Sequence, residues 1–338
     1  MKISDILKSN KTQINYSIDI NDNILIIDGT NNYKRCFSRA SEISDNGYYV
    51  GGYVGFLKSI ASIIRKLAPS RVIIVFDGAG GSLRRKNLYS DYKSNRLKIR
   101  KYNREMYNDT IDEQKSMEEQ FKRLIMYLCN LPITLISIDN IEADDVISFI
   151  INKLSYKKAT IVSTDKDFYQ LVSDKVFIYN PITKGILTRD GIIDKYCVSP
   201  ANFIYYKAIL GDVSDNVTGV RGIGEKTLKT KFSFLSSYDR YDIDDIYKEL
   251  DEKTLSKLKS DIDTFNRNIY LMDLSSPVID VGSAMNVTNQ YKDLSFSYTL
   301  DISKIKSYIL TDGIARSFVG FDRWITESFG KLNSIIKK

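Results

Sequence analysis

Ile24-Leu25-Ile26-Ile27-Asp28 is a short apolar run closed by an acid, and the pattern returns at Val72-Ile73-Ile74-Val75-Phe76-Asp77. Neither run alternates apolar with polar residues, so each reads as a strand buried on both faces. Between them Val54, Leu57, Ile60, Ile64 and Leu67 fall at helical spacing and stop short of Pro69. Further along, Met117, Phe121, Leu124, Ile125 and Leu128 give a second amphipathic helix. Ile133 to Ile138 is a third strand, Val146 to Leu154 a helix, and Thr160 to Ser163 and Val176 to Tyr179 two more strands. Buried strands alternating with helices predict a doubly wound α/β fold, a mostly parallel sheet covered by helices. From about Ser199 the pattern turns mostly helical. The expected organisation is an arm over 1–22, an α/β core over 23–198, a helical region over 199–275 and a C-terminal helical region over 276–338. The core would carry a basic insert over 84–116.

Composition narrows the chemistry. The 338 residues suit about two domains. Lys and Arg total 49 against 42 Asp and Glu, a formal charge of +7, which permits a polyanionic partner. There are no histidines. That excludes serine–histidine and cysteine–histidine machinery and any metal site built on imidazole. Cys36, Cys129 and Cys197 lie far apart, which argues against a disulfide frame and for a reducing, cytoplasmic compartment. No apolar run of about 18 residues is present, so no membrane partner is expected, and Met1 to Asn23 has no signal-peptide core. Catalysis must rest on carboxylates, hydroxyls, lysines, arginines or oxygen-bound metals.

The acids fall where such a metal would be held. Ligands of an open parallel sheet bind outside the carboxyl ends of its strands. Asp28, Asp77 and Asp165 follow three strands, Asp167 lies two residues on, and Glu142-Ala143-Asp144-Asp145 opens the helix after the third strand. Singly, each acid reads best as a helix cap or loop residue. Together they would repel one another unless a cation neutralised them. An all-oxygen donor set suits Mg²⁺ or Mn²⁺, and two such ions about 4 Å apart can hydrolyse a phosphodiester.

Two further stretches point to phosphate. Between Asp77 and Met117 lie Arg84, Arg85, Lys86, Lys93, Arg96, Lys98, Arg100, Lys101 and Arg104, with Tyr89, Tyr92 and Tyr102 interleaved. Basic side chains attract a nucleic-acid backbone and aromatics stack on unpaired bases, although a solvated charged surface gives the same pattern. Later, Gly211-Asp212-Val213-Ser214-Asp215-Asn216 precedes Gly219-Val220-Arg221-Gly222-Ile223-Gly224-Glu225-Lys226. This is neither a Walker A loop nor a dinucleotide fingerprint. A glycine turn between two helices with a lysine beside it can cradle a phosphate, or be a plain glycine-capped turn. The C-terminal stripe of Phe318, Phe321, Trp324, Ile325, Phe329, Leu332 and Ile335 reads as packing core.

These motifs occur in the order seen in the flap endonuclease / 5′-to-3′ exonuclease family, and the chain resembles its stand-alone bacteriophage members over roughly 23–235. The resembling pieces are Ile27-Asp28-Gly29-Thr30-Asn31, Phe76-Asp77-Gly78, Tyr92-Lys93-Ser94-Asn95-Arg96, Glu142 to Asp145, Ser163-Thr164-Asp165-Lys166-Asp167 and Gly211 to Asn216. The resemblance implies a PIN-like core with a helical arch and a helix-three-turn-helix, acting as a two-metal 5′-nuclease on flapped, nicked or 5′-ended duplex DNA and on RNA primers. It implies a first metal at Asp28, Asp77, Glu142 and Asp144, with Asp145 beside them, and a second at Asp165, Asp167, Asp212 and Asp215. Lys93 and Arg96 would grip the scissile phosphate, with Arg85 at a phosphate-contacting position. Arg35, Arg84, Tyr92 and Lys226 would contact DNA. Gly219, Gly222 and Gly224 would hold the duplex, with a potassium ion in the family. A single-stranded-DNA-binding protein or a polymerase would be the protein partner of an otherwise monomeric chain. Where many relatives have a stacking aromatic, this chain has Lys34, preceded by Tyr33. A non-catalytic binder of branched DNA and a PIN-like ribonuclease are the rival readings; the complete carboxylate set opposes the first and the glycine hairpin the second.

Overall fold

The computed structural model describes residues 23–97, 102–103, 106–107, 110–293 and 300–334. The expected arm over 1–22, Lys98, Arg100, Lys101, Arg104, Ile335 and the side chain of Arg96 lie outside the described residues. The chain divides into two compact units. One is drawn from 1–81, 99–163 and 279–338, the other from 82–98 and 164–278.

The first unit is built on four parallel strands: β1 (Asn23–Asp28), β2 (Arg71–Val75), β3 (Thr134–Ile136) and β4 (Lys158–Val162), in the order β3-β2-β1-β4. Registers such as Ile26 opposite Ile73 and Ile161 bury Ile24 to Ile27 and Val72 to Phe76 at 1 % exposure or less. This is the two-faced burial that the unbroken apolar runs require. Helix α1 (Gly29–Arg39) follows β1 directly, and α2 (Gly51–Leu67) ends at Ala68 in the left-handed region, just before Pro69. Helix α3 (Thr110–Leu128) and helix α4 (Ala143–Lys153) complete the covering layers. The predicted strand over Ile133–Ile138 is shorter than its apolar run, because Ser137 and Ile138 already belong to the loop that leads to α4.

The C-terminal segment closes this unit. The helix Val281–Lys292 packs on β3 and α4. Arg71, buried at the start of β2, donates to Thr134 Oγ1 (3.2 Å) and to the carbonyl of Tyr291, with its guanidinium 4.4 Å from the Tyr291 ring. Phe318, Ile325, Phe329 and Leu332 are buried, and the Thr326–Gly330 turn packs on α2. The described part of the apolar stripe is core at these four positions, with Phe321 and Trp324 half-buried. Among the described residues no helix is long and apolar enough to cross a membrane.

The second unit carries the antiparallel pair β5 (Val176–Asn180) and β6 (Gly185–Leu187), then helices. Its core gathers the rings of Tyr169, Tyr196, Phe203 and Tyr206 at centroid separations of 5.0–5.8 Å. The helix Phe203–Leu210 lies against Ile262–Met272 and leads into a two-residue ladder, β7 (Gly211–Asp212) with β8 (Val217–Thr218). No strand was expected there. Gly211, at φ +73°, makes the entry possible; a Cβ on it would lie 2.4 Å from the Val217 carbonyl.

Candidate active site

In the first unit the predicted acids sit at the carboxyl ends of the parallel strands. Asp28 ends β1 at 4 % exposure. Its Oδ1 accepts from the Asn31 N–H (3.0 Å) and so caps α1, while Oδ2 accepts from Ser163 Oγ (3.0 Å), just beyond β4. It is therefore both the cap that a lone aspartate suggests and a buried charge at the sheet end. Asp77 is exposed; Thr30 Oγ1 accepts from its N–H (3.0 Å), and its Oδ1 accepts from the Ala143 N–H (2.9 Å) at the start of α4. The first acid loop and the Glu142-to-Asp145 turn are thus both tied to Asp77. Gly78 lets the chain pass: a Cβ on it would be 1.7 Å from the Ile138 carbonyl oxygen. Glu142 (4 %) and Asp145 (3 %) are buried, and Asp144 is half-buried.

In the second unit Asp167 and Asp212 hold a residue the sequence analysis passed over, with Asp165 within its electrostatic reach. Lys207, 5 % exposed, places Nζ 2.7 Å from Asp167 Oδ1 and also donates to Asp212 Oδ2. Asp212 Oδ1 caps its own turn, accepting from Ser214 N–H (2.7 Å) and Ser214 Oγ (2.6 Å). Asp165 Oδ1 accepts from the Asp167 N–H (2.9 Å). Burial pushes the Asp167 carboxyl up to about 6 in spite of Lys207. Burial also raises Asp165, with Asp215 and Asp212 adding repulsion against the pull of Lys207. For Asp212 burial works in the same sense, but Lys207 and Ser214 outweigh it and hold the carboxyl below its ordinary range. Burial opposes the Lys207 charge, and Asp167 and Asp212 overcome it, so the ammonium is held above its usual range. The signal for Lys207 in the sequence is one charge inside the otherwise apolar Phe203-Ile204-Tyr205-Tyr206-Lys207-Ala208-Ile209-Leu210.

The basic residues divide. Lys93, at φ 55°, donates its N–H to the Asp215 carbonyl (2.8 Å) and holds Nζ 3.9 Å from Asp215 Oδ2. Asn216 Nδ2 bonds the Asp91 carbonyl (3.0 Å) and Ser94 Oγ (2.9 Å), and Asn95 Nδ2 bonds the Val213 carbonyl (3.0 Å). The Lys93 loop is thereby stitched to the Asp212–Asp215 turn. Arg85 is buried at 7 % and donates Nε to the Leu271 carbonyl (2.9 Å), which makes it a link within the unit. Arg84 is exposed and reaches the Val278 carbonyl (3.2 Å). Arg35, in the first unit, bonds Asn32 Oδ1 and Ser59 Oγ. Tyr92 departs from expectation: it is 3 % exposed, its ring lies 4.8 Å from Lys93 Nζ, and it presents no face to a base. Tyr33 is likewise interior, 4 % exposed, donating its hydroxyl to the Met117 carbonyl and packing on Phe121. In the glycine hairpin, Gly219 passes against the Ile209 carbonyl (2.4 Å from a built Cβ), Gly222 takes φ +76°, and Gly224 and Lys226 are exposed.

The profile of the 5′-3′ exonuclease N-terminal, resolvase-like domain matches residues 23–197, just over half of the chain. The chain belongs to the 5′-3′ exonuclease family. It is accordingly a hydrolase, a 5′-nuclease. A 5′-3′ exonuclease of Aquifex aeolicus is 34 % identical over 207 residues, covering 60 % of this chain and 66 % of the relative, so the chain spans about two thirds of that protein. The flap endonuclease of Escherichia phage T5 is 27 % identical over 293 residues, 84 % of this chain and 92 % of the relative. A T5 5′-exonuclease structure superposes with a TM-score of 0.59 at 22 % identity, covering 86 % of this chain and 99 % of that one, a likeness of fold.

For a member of the 5′-3′ exonuclease family a hard divalent cation is the implied cofactor, and the donors can be tested for it. Among the described residues no three acids stand close enough together to enclose an ion as they are arranged. The chemistry of the donors fits: they are all oxygen, several are buried, and burial holds Asp165 and Asp167 above the ordinary carboxylate range.

Proposed function

We propose that this chain is a structure-specific 5′-nuclease, hydrolysing phosphodiesters of flapped, nicked or 5′-ended DNA duplexes and of RNA primers, in replication or repair. The observation that carries the reading is the gathering of acids, Asp28, Glu142 and Asp145 buried at the strand ends and Asp167 and Asp212 on the buried Lys207, in a chain of the 5′-3′ exonuclease family. Asp28, Asp77, Glu142, Asp144 and Asp145 would hold one Mg²⁺, and Asp165, Asp167, Asp212 and Asp215 a second, with Mn²⁺ as substitute. When bound, such ions supply charge neutralisation at the phosphate and an acidified water. A T5 flap endonuclease variant has been solved with DNA and metal ions, and a T5 5′-exonuclease with zinc, which supports the reading.

The chain's own side chains then have distinct tasks. Lys93, fixed by its backbone bond to Asp215, would meet the charge that develops on the scissile phosphate. Arg96 would assist it, and Arg85 would support that loop from inside. With no histidine in the chain, no imidazole serves as general base. Gly219, Gly222, Gly224 and Lys226, in the proposed duplex-binding region 199–275, would hold the duplex backbone, with K⁺ as a further ligand there. Arg35 and Arg84 would contribute charge to DNA binding, in a monomer acting in the cytoplasm.

The test is a gel assay on a 5′-flapped duplex labelled at either end, in Mg²⁺ or in EDTA. Cuts near the junction that need Mg²⁺ and vanish in Asp165→Asn are expected. Binding without any cut, in Mg²⁺ and in Mn²⁺, would instead favour a non-catalytic binder of branched DNA.

A further inference from the structure

Lys207 is a costly residue to place where it is. Its ammonium is buried, and it contacts two of the four acids assigned to the second cation, Asp167 at 2.7 Å and Asp212 through a charged hydrogen bond. A lysine that served only to tether the helix Phe203–Leu210 could do so with one acid, at the surface. Here it sits among carboxylates: Asp167 and Asp212 share its one charge, and Asp165 is hydrogen-bonded to the Asp167 N–H beside them, so the acids gathered here outnumber the ammonium that joins them. A divalent ion on those oxygens would lie within a few ångströms of Nζ, and like charges at that range repel strongly where water is scarce.

From this placement, and resting on the assignment of the second cation above, we propose that Lys207 is a built-in stand-in cation: its ammonium holds Asp167 and Asp212 together in the metal-free protein and is displaced when a divalent ion takes the position. The second ion therefore binds by exchange against an internal charge, and its affinity is set low by the chain itself. A plain structural counter-ion would act differently, since its loss would disorder the acids and weaken cation binding.

The experiment is a Mn²⁺ titration of the full chain, reading free Mn²⁺ by electron paramagnetic resonance, with melting temperature measured in parallel. Wild type, Lys207→Met, Lys207→Arg and Asp165→Asn are compared. In Lys207→Met the weaker class of Mn²⁺ site should tighten at least about tenfold while the metal-free protein melts lower, and Mn²⁺ should restore more of the melting temperature than it does in wild type. Lys207→Arg, which keeps the charge, should leave the weak class weak. Unchanged or weaker Mn²⁺ binding in Lys207→Met overturns the stand-in role while leaving the second cation site in place. Failure of wild type to bind a second Mn²⁺, or indifference of that binding to Asp165→Asn, overturns the cation assignment and the stand-in role together. If Lys207→Met does not fold, Lys207→Gln read by the Mn²⁺-dependent rise in melting temperature gives the same two-way decision.

Discussion

Asn268 offers a sharp test of how the hairpin that carries Asp212 is held. It is fully buried in the helix Ile262–Met272, and its Nδ2 donates to the carbonyls of Ala208 (2.8 Å) and Thr218 (2.7 Å). One carbonyl belongs to the helix that bears Lys207, the other to β8, immediately before the glycine hairpin. One amide thus pins both sides of the β7–β8 ladder, itself only two residues long. Asn268→Leu keeps the volume but leaves both carbonyls without that donor. The Thr218 carbonyl keeps Arg267 Nη2 (3.3 Å), but the buried Ala208 carbonyl loses its side-chain partner, and a buried polar group left unsatisfied costs about 1–3 kcal/mol. With a urea slope of about 1–3 kcal/mol per molar, the unfolding midpoint should fall by about 1 M. The assay is urea unfolding followed by far-ultraviolet circular dichroism, with affinity for a nicked duplex measured below the transition. The only tryptophan, Trp324, lies in the other unit, so its fluorescence reports separately. A loss under about 0.5 kcal/mol, with duplex affinity intact, would refute the claim that Asn268 holds the ladder.

Other consequences follow from single residues. Gly78→Ala would drive a Cβ into the Ile138 carbonyl at 1.7 Å; we expect a drop of at least about 2 kcal/mol in unfolding free energy and loss of cleavage, measured by denaturant melts and the flap assay. Gly224→Leu should leave stability within about 0.5 kcal/mol, because φ is −99° and nothing lies within 4 Å of a Cβ, yet it should weaken duplex binding in a filter or anisotropy assay. Burial raises the Cys36 thiol to about 11, against the pull of Arg35. A raised acid pKa in the folded state means that the unfolded chain ionises first, so stability is untouched below about pH 8 and is lost as pH rises from 9 to 11. The full loss is about 3 kcal/mol, and Cys36→Ala should flatten that part of a pH–stability curve taken by denaturant titration.

The strands and their terminal acids were legible because two-faced burial writes itself as unbroken apolar runs, and because acids that singly read as caps recur at successive strand ends. Asp28, Asp77, Asp165 and Asp167 were found in that way. Helix α1 was not, since it is short and polar on one side, and its start is set by Asp28 capping Asn31. The β7–β8 ladder is too short to have a period. Tyr92 inverts the surface reading of a tyrosine among basic residues, and Tyr33, beside the position where relatives stack a base, is buried by distant chain, Phe121 and Met117. Lys207 was hidden by its own helix: an apolar run reads as core, and a charge inside it reads as noise until its acids are seen around it.

The order in which the pieces of the first unit leave the ribosome has its own consequence. All four of its strands have been synthesised by Val162, but the helix that packs on β3 begins at Val281, and Arg65 in α2 waits for Ser328, 263 positions later. At about 5–20 residues per second the nascent chain spends several seconds with that apolar face uncovered. Closing such long-range pairs late makes folding slow as well as late. Synthesis that pauses or stops before about residue 290 would therefore release a sheet still lacking its final cover, and chaperone demand during translation should track the time taken to read the segment between β4 and Val281.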